Sequence, residues 1–247
     1  INEKKSDVII NELKGKTALI TGGTRGIGAA IAKELHSLGA TIIITGTKPN
    51  YIPLSDYQYI CADFTCKNSL TKCVDQIREM EIDILVNNAG INKVSPISEL
   101  SQEDFELVQQ VNVVAPLLLC QAVLVGMRAR HWGRIVNISS IWGKISKAYR
   151  VSYSASKFAI DGITAAISAE VASDDVMVNS VAPGFIDTEL TRNTLGTIGM
   201  NELVSHVPIK RVGTVEEVAK FVAWLSGLNN TYISGQNIAI DGGFTRV

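Results

Sequence analysis

Net charge is nearly absent: 23 Lys and Arg stand against 24 Asp and Glu in 247 residues, a balance of −1. Without a positive surplus, a broad electrostatic grip on nucleic acid or on an anionic membrane is excluded. Cysteine is scarce, with four residues at 61, 66, 73 and 120. None forms a C-x2-C pair or lies near His at ligand spacing, so no metal site is expected and the thiols fit a reducing cytoplasm. No apolar run is long enough to span a bilayer. The most apolar stretch, residues 113–125, holds Pro116 and Gln121, and a span needs about 20 residues. The first sixteen residues are charged and alternating, without the apolar core of a signal peptide. No linker or low-complexity segment divides the chain, which reads as an extension over 1–12 and one domain over 13–247.

Apolar content is high, at 46% against 19% charged. It is organised as short β-branched runs alternating with helical patterns. The runs at 17–21, 41–45, 57–62, 82–87, 134–139, 177–182 and 237–240 read as strands. Ala18-Leu19-Ile20 and Ile42-Ile43-Ile44 are apolar on both faces, as in parallel strands covered by helices on two sides. Helical spacing over 26–38 ends at Gly39. Ser101-Gln-Glu-Asp104 resembles a capping box that opens a long helix towards Met127, which Pro116 should kink or split. Thr214-Val-Glu-Glu217 is a fuller box opening a helix to about 225. Residues 153–172 read as a further helix. The alternation predicts an α/β domain: a single doubly wound, mainly parallel seven-stranded sheet flanked by helices. One crossover, 46–56, carries Pro49 and Pro53 and has little room for a helix. Residues 188–212, after the sixth strand, read as a substrate lid.

The first strand runs into Thr21-Gly-Gly-Thr24-Arg25-Gly26-Ile27-Gly28 and then a helix. Gly22, Gly26 and Gly28 are spaced as T-G-x3-G-x-G, a turn that lets backbone approach a pyrophosphate at a helix N-terminus. Gly15-Lys16-Thr17 imitates the end of a P-loop. It lacks the earlier glycine, because Ile10 stands there, and it precedes the strand, so triphosphate hydrolysis is rejected. A carboxylate for a ribose hydroxyl is expected at the end of the second strand in an NAD site. That end reads Thr45-Gly46-Thr47-Lys48. Thr47 and Lys48, with Arg25 in the glycine loop, suit a 2′-phosphate, which favours NADP(H) over NAD(H).

Tyr153-Ser-Ala-Ser-Lys157 sets Tyr and Lys four apart on one helix face, soon after a strand ending Asn137-Ile-Ser-Ser140. By itself a Y-x3-K spacing is common. Together with Thr21–Gly28, Asn87-Asn88-Ala89-Gly90, Asn112, Ser140 and Pro183-Gly184, in that order and spacing, the chain resembles the short-chain dehydrogenase/reductase family from about residue 13 to 247. Within it, Gly133-Arg-Ile-Val-Asn-Ile-Ser-Ser, Val181-Ala-Pro-Gly-Phe-Ile and Ile240-Asp-Gly-Gly are most similar to the 3-oxoacyl-[acyl-carrier-protein] reductases.

The resemblance implies a Rossmann-type oxidoreductase that exchanges a hydride between a nicotinamide and a ketone or secondary alcohol. Tyr153 is then the general acid. A free phenol has a pKa of about 10, and bringing it near 7 takes roughly 4 kcal/mol, supplied by Lys157 and the oxidised nicotinamide. Lys157 also binds the nicotinamide ribose, Ser140 hydrogen-bonds the substrate oxygen, and Asn112 holds a water that relays protons from Lys157. Asp63 and Phe64 meet the adenine. Asn88 and Gly90 line the crevice, and Ile186 and Thr188, after Pro183 and Gly184, meet the nicotinamide amide or phosphates. The resemblance further implies a homotetramer, formed in part by the helices over 104–127 and 153–172. His36 and His131 read as surface residues, and His206 lies beside the lid.

The substrate is open. Arg128, Arg130, His131 and Arg134 form a basic cluster that suits an acidic acyl carrier protein. Asp174-Asp175, following the Tyr153 helix, departs from that pattern. A small ketone, a sugar or a secondary-metabolite intermediate is the alternative substrate, and a non-catalytic dinucleotide-binding scaffold is the remote one.

Overall fold

A computed structural model of the protein describes residues 11–53, 56–188, 202 and 204–247. Seven strands form one parallel sheet: β1 (Thr17–Ile20), β2 (Thr41–Gly46), β3 (Gln58–Cys61), β4 (Ile84–Asn87), β5 (Gly133–Ile138), β6 (Val176–Pro183) and β7 (Asn237–Ile240). Their order is β3-β2-β1-β4-β5-β6-β7. The direction of winding reverses between β1 and β4, and such reversals open a crevice at the carboxyl ends of the strands.

Two helical layers cover the sheet, and strand alternation divides the core between them. Ala18 and Ile20 of β1, and Ile84 and Val86 of β4, face one side. There they pack on Ile31 and Leu35 of α1 (Gly26–Ser37) and on Val218 and Val222 of α6 (Val215–Ser226). Leu19 and Leu85 face the other side, against Leu70 and Ile77 of α2 (Lys67–Arg78) and Leu119 and Met127 of α4 (Ala115–Ala129). Both faces of the central strands are buried, which accounts for their uninterrupted apolar sequence.

The sequence reading placed no element over α2. Its apolar residues Leu70, Cys73, Val74 and Ile77 nevertheless keep helical spacing and are all buried. The β2–β3 crossover has no helix among its described residues. Of the expected lid, residues 189–201 and 203 lie outside the described residues, as do residues 1–10 of the N-terminal extension.

The long helix is interrupted, although not at Pro116. α3 (Gln102–Gln109) passes into a π turn over Gln110–Val114 before α4 begins. Pro116 sits in the first turn of α4, where its missing N–H costs little, and the widened turn before it makes room for its ring. Ser101 Oγ accepts from Asp104 N at 3.0 Å, but the Asp104 carboxylate pairs with Lys93 at 3.1 Å, so this cap is only half a box. The run Gln102–Ala129 is long and apolar enough by composition to cross a membrane, yet half of that window is buried inside the fold. It is a core helix of the second layer.

At α6 the box is complete. Thr214 Oγ1 accepts from Glu217 N and the Glu217 carboxylate accepts from Thr214 N, at 3.2 and 2.8 Å. Truncation of Thr214 to alanine is expected to lower unfolding free energy by about 1 kcal/mol in chemical denaturation, with the m-value unchanged.

Candidate active site

The glycine loop is built by close approach. Gly22 and Gly26 adopt φ of +64° and +55°, the left-handed region that glycine enters freely. At Gly28 a Cβ would lie 2.4 Å from the Gly22 carbonyl oxygen and 2.5 Å from Asn88 Nδ2, so only glycine fits. Asn88 ties the loop to the end of β4, its amide donating to the carbonyls of Thr21 and Gly22 at 2.9 and 3.2 Å. Thr21 Oγ1 accepts from the N–H groups of Asn88 and Ala89, both at 2.9 Å. Arg25 occupies the N-cap of α1 without a side-chain cap bond, which leaves the N–H groups of the first turn open to an anion. This cradle fits a dinucleotide pyrophosphate.

The end of β2 closes one side. A Cβ on Gly46 would lie 2.6 Å from Thr24 Cγ2, so the glycine loop and the Gly46-Thr47-Lys48 segment are in contact. Tyr59 donates to the Lys48 carbonyl at 2.8 Å and fixes that segment. Arg25, Thr47 and Lys48 are all exposed at this rim, and no carboxylate stands among them. Asp63 caps its own turn, accepting from Thr65 N at 2.9 Å. The Phe64 ring is buried in the α2 layer of the core, so its backbone is what it offers at the end of β3. Ile27 and Ile186 likewise turn their side chains onto the α1 layer, leaving only backbone to meet a cofactor. Gly184 N donates to the Ile240 carbonyl, and Ile186 bridges to Gly213. Pro183 ends β6, and Thr188 is the last described residue of this segment.

The catalytic candidates gather beside this crevice. Ser140 follows β5, and its hydroxyl accepts from Trp142 N at 3.2 Å. Tyr153 and Lys157 lie one turn apart on α5 (Val151–Val171), with Lys157 Nζ 5.5 Å from the Tyr153 ring centroid. Lys157 is buried and donates to the Ile138 carbonyl at 2.7 Å. A Cβ on Gly90 would lie 3.3 Å from Asn112 Oδ1 and 3.8 Å from Lys157 Nζ, which brings Gly90, Asn112 and Lys157 together.

Asn112, in the π turn, spends its amide on structure. It accepts from Ile91 N and donates to Ile91 O, both at 2.9 Å, and donates to Ser156 Oγ at 3.0 Å. It clamps the segment after β4 to α5. Burial pushes the Tyr153 phenol above its ordinary value, opposed by the Ser140 hydroxyl and the Arg150 charge. The Lys157 ammonium is committed to Ile138, and burial brings its own pKa down to about 8, against the pull of Asp161. Burial raises the thiols of Cys73 to about 11 and Cys120 to about 12, so neither is a nucleophile near neutrality.

Sequence reasoning passed over Ser156, and took Thr21 only as the start of the glycine motif. Thr21 directly follows β1, where a hydroxyl can reach the next strand, and Ser156 lies beside Lys157. Their positions were visible, but not their partners. It also took a basic cluster as suiting an acidic acyl carrier protein. Arg134 is 3% exposed and donates to the Gly133 and Asp175 carbonyls at the start of β5, six residues from Ser140, roughly 20 Å along the strand. Arg128 pairs with Asp174 at 2.6 Å, and Arg130 donates to the Ile82 carbonyl. These cations belong to the opposite edge of the sheet and are held by internal partners.

The short chain dehydrogenase family model matches residues 16–197. The chain belongs to this family. It is a dinucleotide-binding oxidoreductase acting on CH–OH or C=O groups. It is 38% identical over 244 residues to the 3-oxoacyl-[acyl-carrier-protein] reductase FabG of Aquifex aeolicus, covering 94% of this chain and 98% of that one. It resembles the 3-oxoacyl (acyl-carrier-protein) reductase of Agrobacterium tumefaciens with NADP bound, with TM-score 0.87, 30% identity, and coverage of 94% and 95%. It also resembles a gluconate 5-dehydrogenase from Burkholderia cenocepacia in complex with NADP and tartrate, with TM-score 0.87, 29% identity, and coverage of 97% and 98%.

Replacing Gly28 with alanine is expected to raise the dinucleotide Kd more than tenfold in a fluorescence titration, because the methyl must displace the Gly22 carbonyl. Unchanged affinity would remove the cradle.

Proposed function

We propose that the protein is an NADPH-dependent reductase of a ketone, carried by one observation: Ser140, Tyr153, Lys157 and Asn112 converge beside a glycine cradle whose rim holds cations and no carboxylate. When bound, the nicotinamide supplies a hydride to the carbonyl carbon. Ser140 orients the carbonyl oxygen through its hydroxyl. Tyr153 gives its phenolic proton to that oxygen as negative charge develops there. Lys157 favours the phenolate left behind, by charge, and would hold the nicotinamide ribose. Asn112 keeps the segment after β4 against α5, and Gly90, lacking a Cβ, leaves the space over Lys157 open.

Arg25 and Lys48, at the rim, support NADPH over NADH through attraction to a 2′-phosphate. The kinship with 3-oxoacyl-[acyl-carrier-protein] reductases favours a 3-oxoacyl thioester as substrate, carried by an acyl carrier protein. A small ketone or sugar is the second reading, favoured by the pairing of Arg128 with Asp174, which removes free positive charge that an acidic carrier would need. The complete quartet argues against a non-catalytic scaffold. The four cysteines are free, which supports a reducing cytoplasm. The outward faces of α4 and α5, with Val125 at 77% and Phe158 at 48% exposure, support burial between copies in a homotetramer.

An NADPH-oxidation panel of 3-oxoacyl thioesters on coenzyme A and on carrier protein, sugars and small ketones separates the substrate readings. Tyr153→Phe is expected to lose at least about 100-fold in kcat while keeping its NADPH affinity; parent-like turnover would refute the acid role. The parent should show higher kcat/KM with NADPH than with NADH, and Lys48→Glu should narrow that ratio, chiefly through KM for NADPH. A parent preference for NADH would overturn the reading of the rim.

A further inference from the structure

One carboxylate near the catalytic side chains has no part in the proposed chemistry. Asp161 lies on α5 four residues after Lys157, as Lys157 lies four after Tyr153, so the three share one helix face. α5 is a helix of 21 residues whose inner side is occupied largely by serine and threonine rather than by leucine. Asp161 lies towards β7, where Asn237 Nδ2 donates to its Oδ2. The Ser139 and Ser180 hydroxyls, at the ends of β5 and on β6, also favour its ionised form. An amide from β7 therefore meets an acid on a helix interior, where an apolar side chain would pack without such a partner, while the other carboxylate oxygen, Oδ1, is buried without a hydrogen bond.

We propose that Asp161 is a positioning residue for Lys157: its carboxylate, held in place by Asn237, keeps the Lys157 ammonium charged and aimed at the catalytic crevice. This rests on the reductase reading for its consequence but not for its physics. Lys157 is 5% exposed, and its one hydrogen bond among the described residues goes to a neutral carbonyl, that of Ile138. A buried ammonium with only a neutral acceptor loses its proton readily unless a negative charge stands near. Asp161, one turn further along α5, is a carboxylate placed to act on it by charge. Among the described residues, two cations also act on the group: Lys144, from the turn after β5, on Asp161, and Arg150, just before α5, on Tyr153. Burial raises the Asp161 carboxyl itself, and Ser139, Ser180, Lys144 and Lys157 all oppose that rise.

The sign of the effect follows. Removing a negative charge makes proton loss easier from both Lys157 and Tyr153. Ketone reduction needs the protonated pair, so its alkaline limb must move to lower pH.

The test follows Lys157 directly, by ¹³C NMR of the lysine ε-carbons, with the resonance assigned by its loss in Lys157→Met. In Asp161→Asn the Lys157 midpoint is expected to fall by about one pH unit, and in Asp161→Glu to return towards that of the parent. The alkaline limb of NADPH-dependent reduction should move with it, while a packing role alone would lower kcat equally at every pH. Asn237→Ala, which frees the carboxylate without removing it, should give a smaller shift in the same direction. Should Asp161→Asn fail to fold, Asp161→Ser, whose hydroxyl still meets the Asn237 amide, carries the same test. An unmoved Lys157 midpoint overturns the proposal, as does a midpoint that moves without the alkaline limb. Absence of turnover in the parent would refute the reductase reading instead, and the NMR titration would still decide the role of Asp161.

Discussion

The carboxyl edge of the sheet depends on the seating of Gly28 against the Gly22 carbonyl, under the amide of Asn88. That contact joins the turn after β1, the first turn of α1 and the end of β4, at the point where the winding of the sheet reverses. A doubly wound sheet opens a crevice there by topology alone. Local packing decides whether the crevice presents backbone N–H groups or side chains. Three glycines and an uncapped helix N-terminus present N–H groups, and Thr21 fixes the adjoining strand end through one hydroxyl that accepts from two N–H groups.

The position of α5 is set by a second constraint, a line of buried polar side chains. Asn87 donates to Asn137 at 2.8 Å, Asn137 donates to Thr164 at 2.8 Å, and Thr164 meets Ser180 at 2.8 Å. These residues come from β4, β5, α5 and β6. Hydrogen bonds between buried groups are directional and costly to leave unmade, so such a line fixes the rotation of the helix more sharply than aliphatic packing would. Tyr153 and Lys157 inherit that rotation, and Asn112 fixes the opposite edge of the same helix through Ser156.

Much of this was legible in the residues. Strand positions followed from apolar runs, because burial on both faces leaves a plain compositional mark. The glycine turn and the Tyr153–Lys157 pair were legible because close approach and helix spacing constrain residue type at fixed offsets. Less legible was anything decided by a partner distant in the chain. Phe64 follows a strand like a ligand contact, yet the core takes its ring. Arg128, Arg130 and Arg134 are near one another in sequence, yet carboxylates and carbonyls elsewhere hold them, and the sheet sets them at the wrong edge. α2 went unread although its buried residues keep helical spacing, since lysines, threonine and cysteines dilute a short amphipathic pattern. The roles of Asn112 and Asp161 are set by Ile91 and Asn237, which no spacing rule connects to them.

The π turn at Gln110–Val114 carries a further implication for how this chain tolerates change in length. A π turn holds about one residue more than an α turn, so α3 and α4 are out of register by roughly 100° of rotation. Deleting one residue from the turn would yield an ordinary helix with regular hydrogen bonds. It would also swing α3 around its axis relative to α4 and carry Asn112 away from Ile91 and Ser156. Length at this point is therefore as constrained as identity, and the irregular turn is where the helix trades regularity for the placement of a single amide.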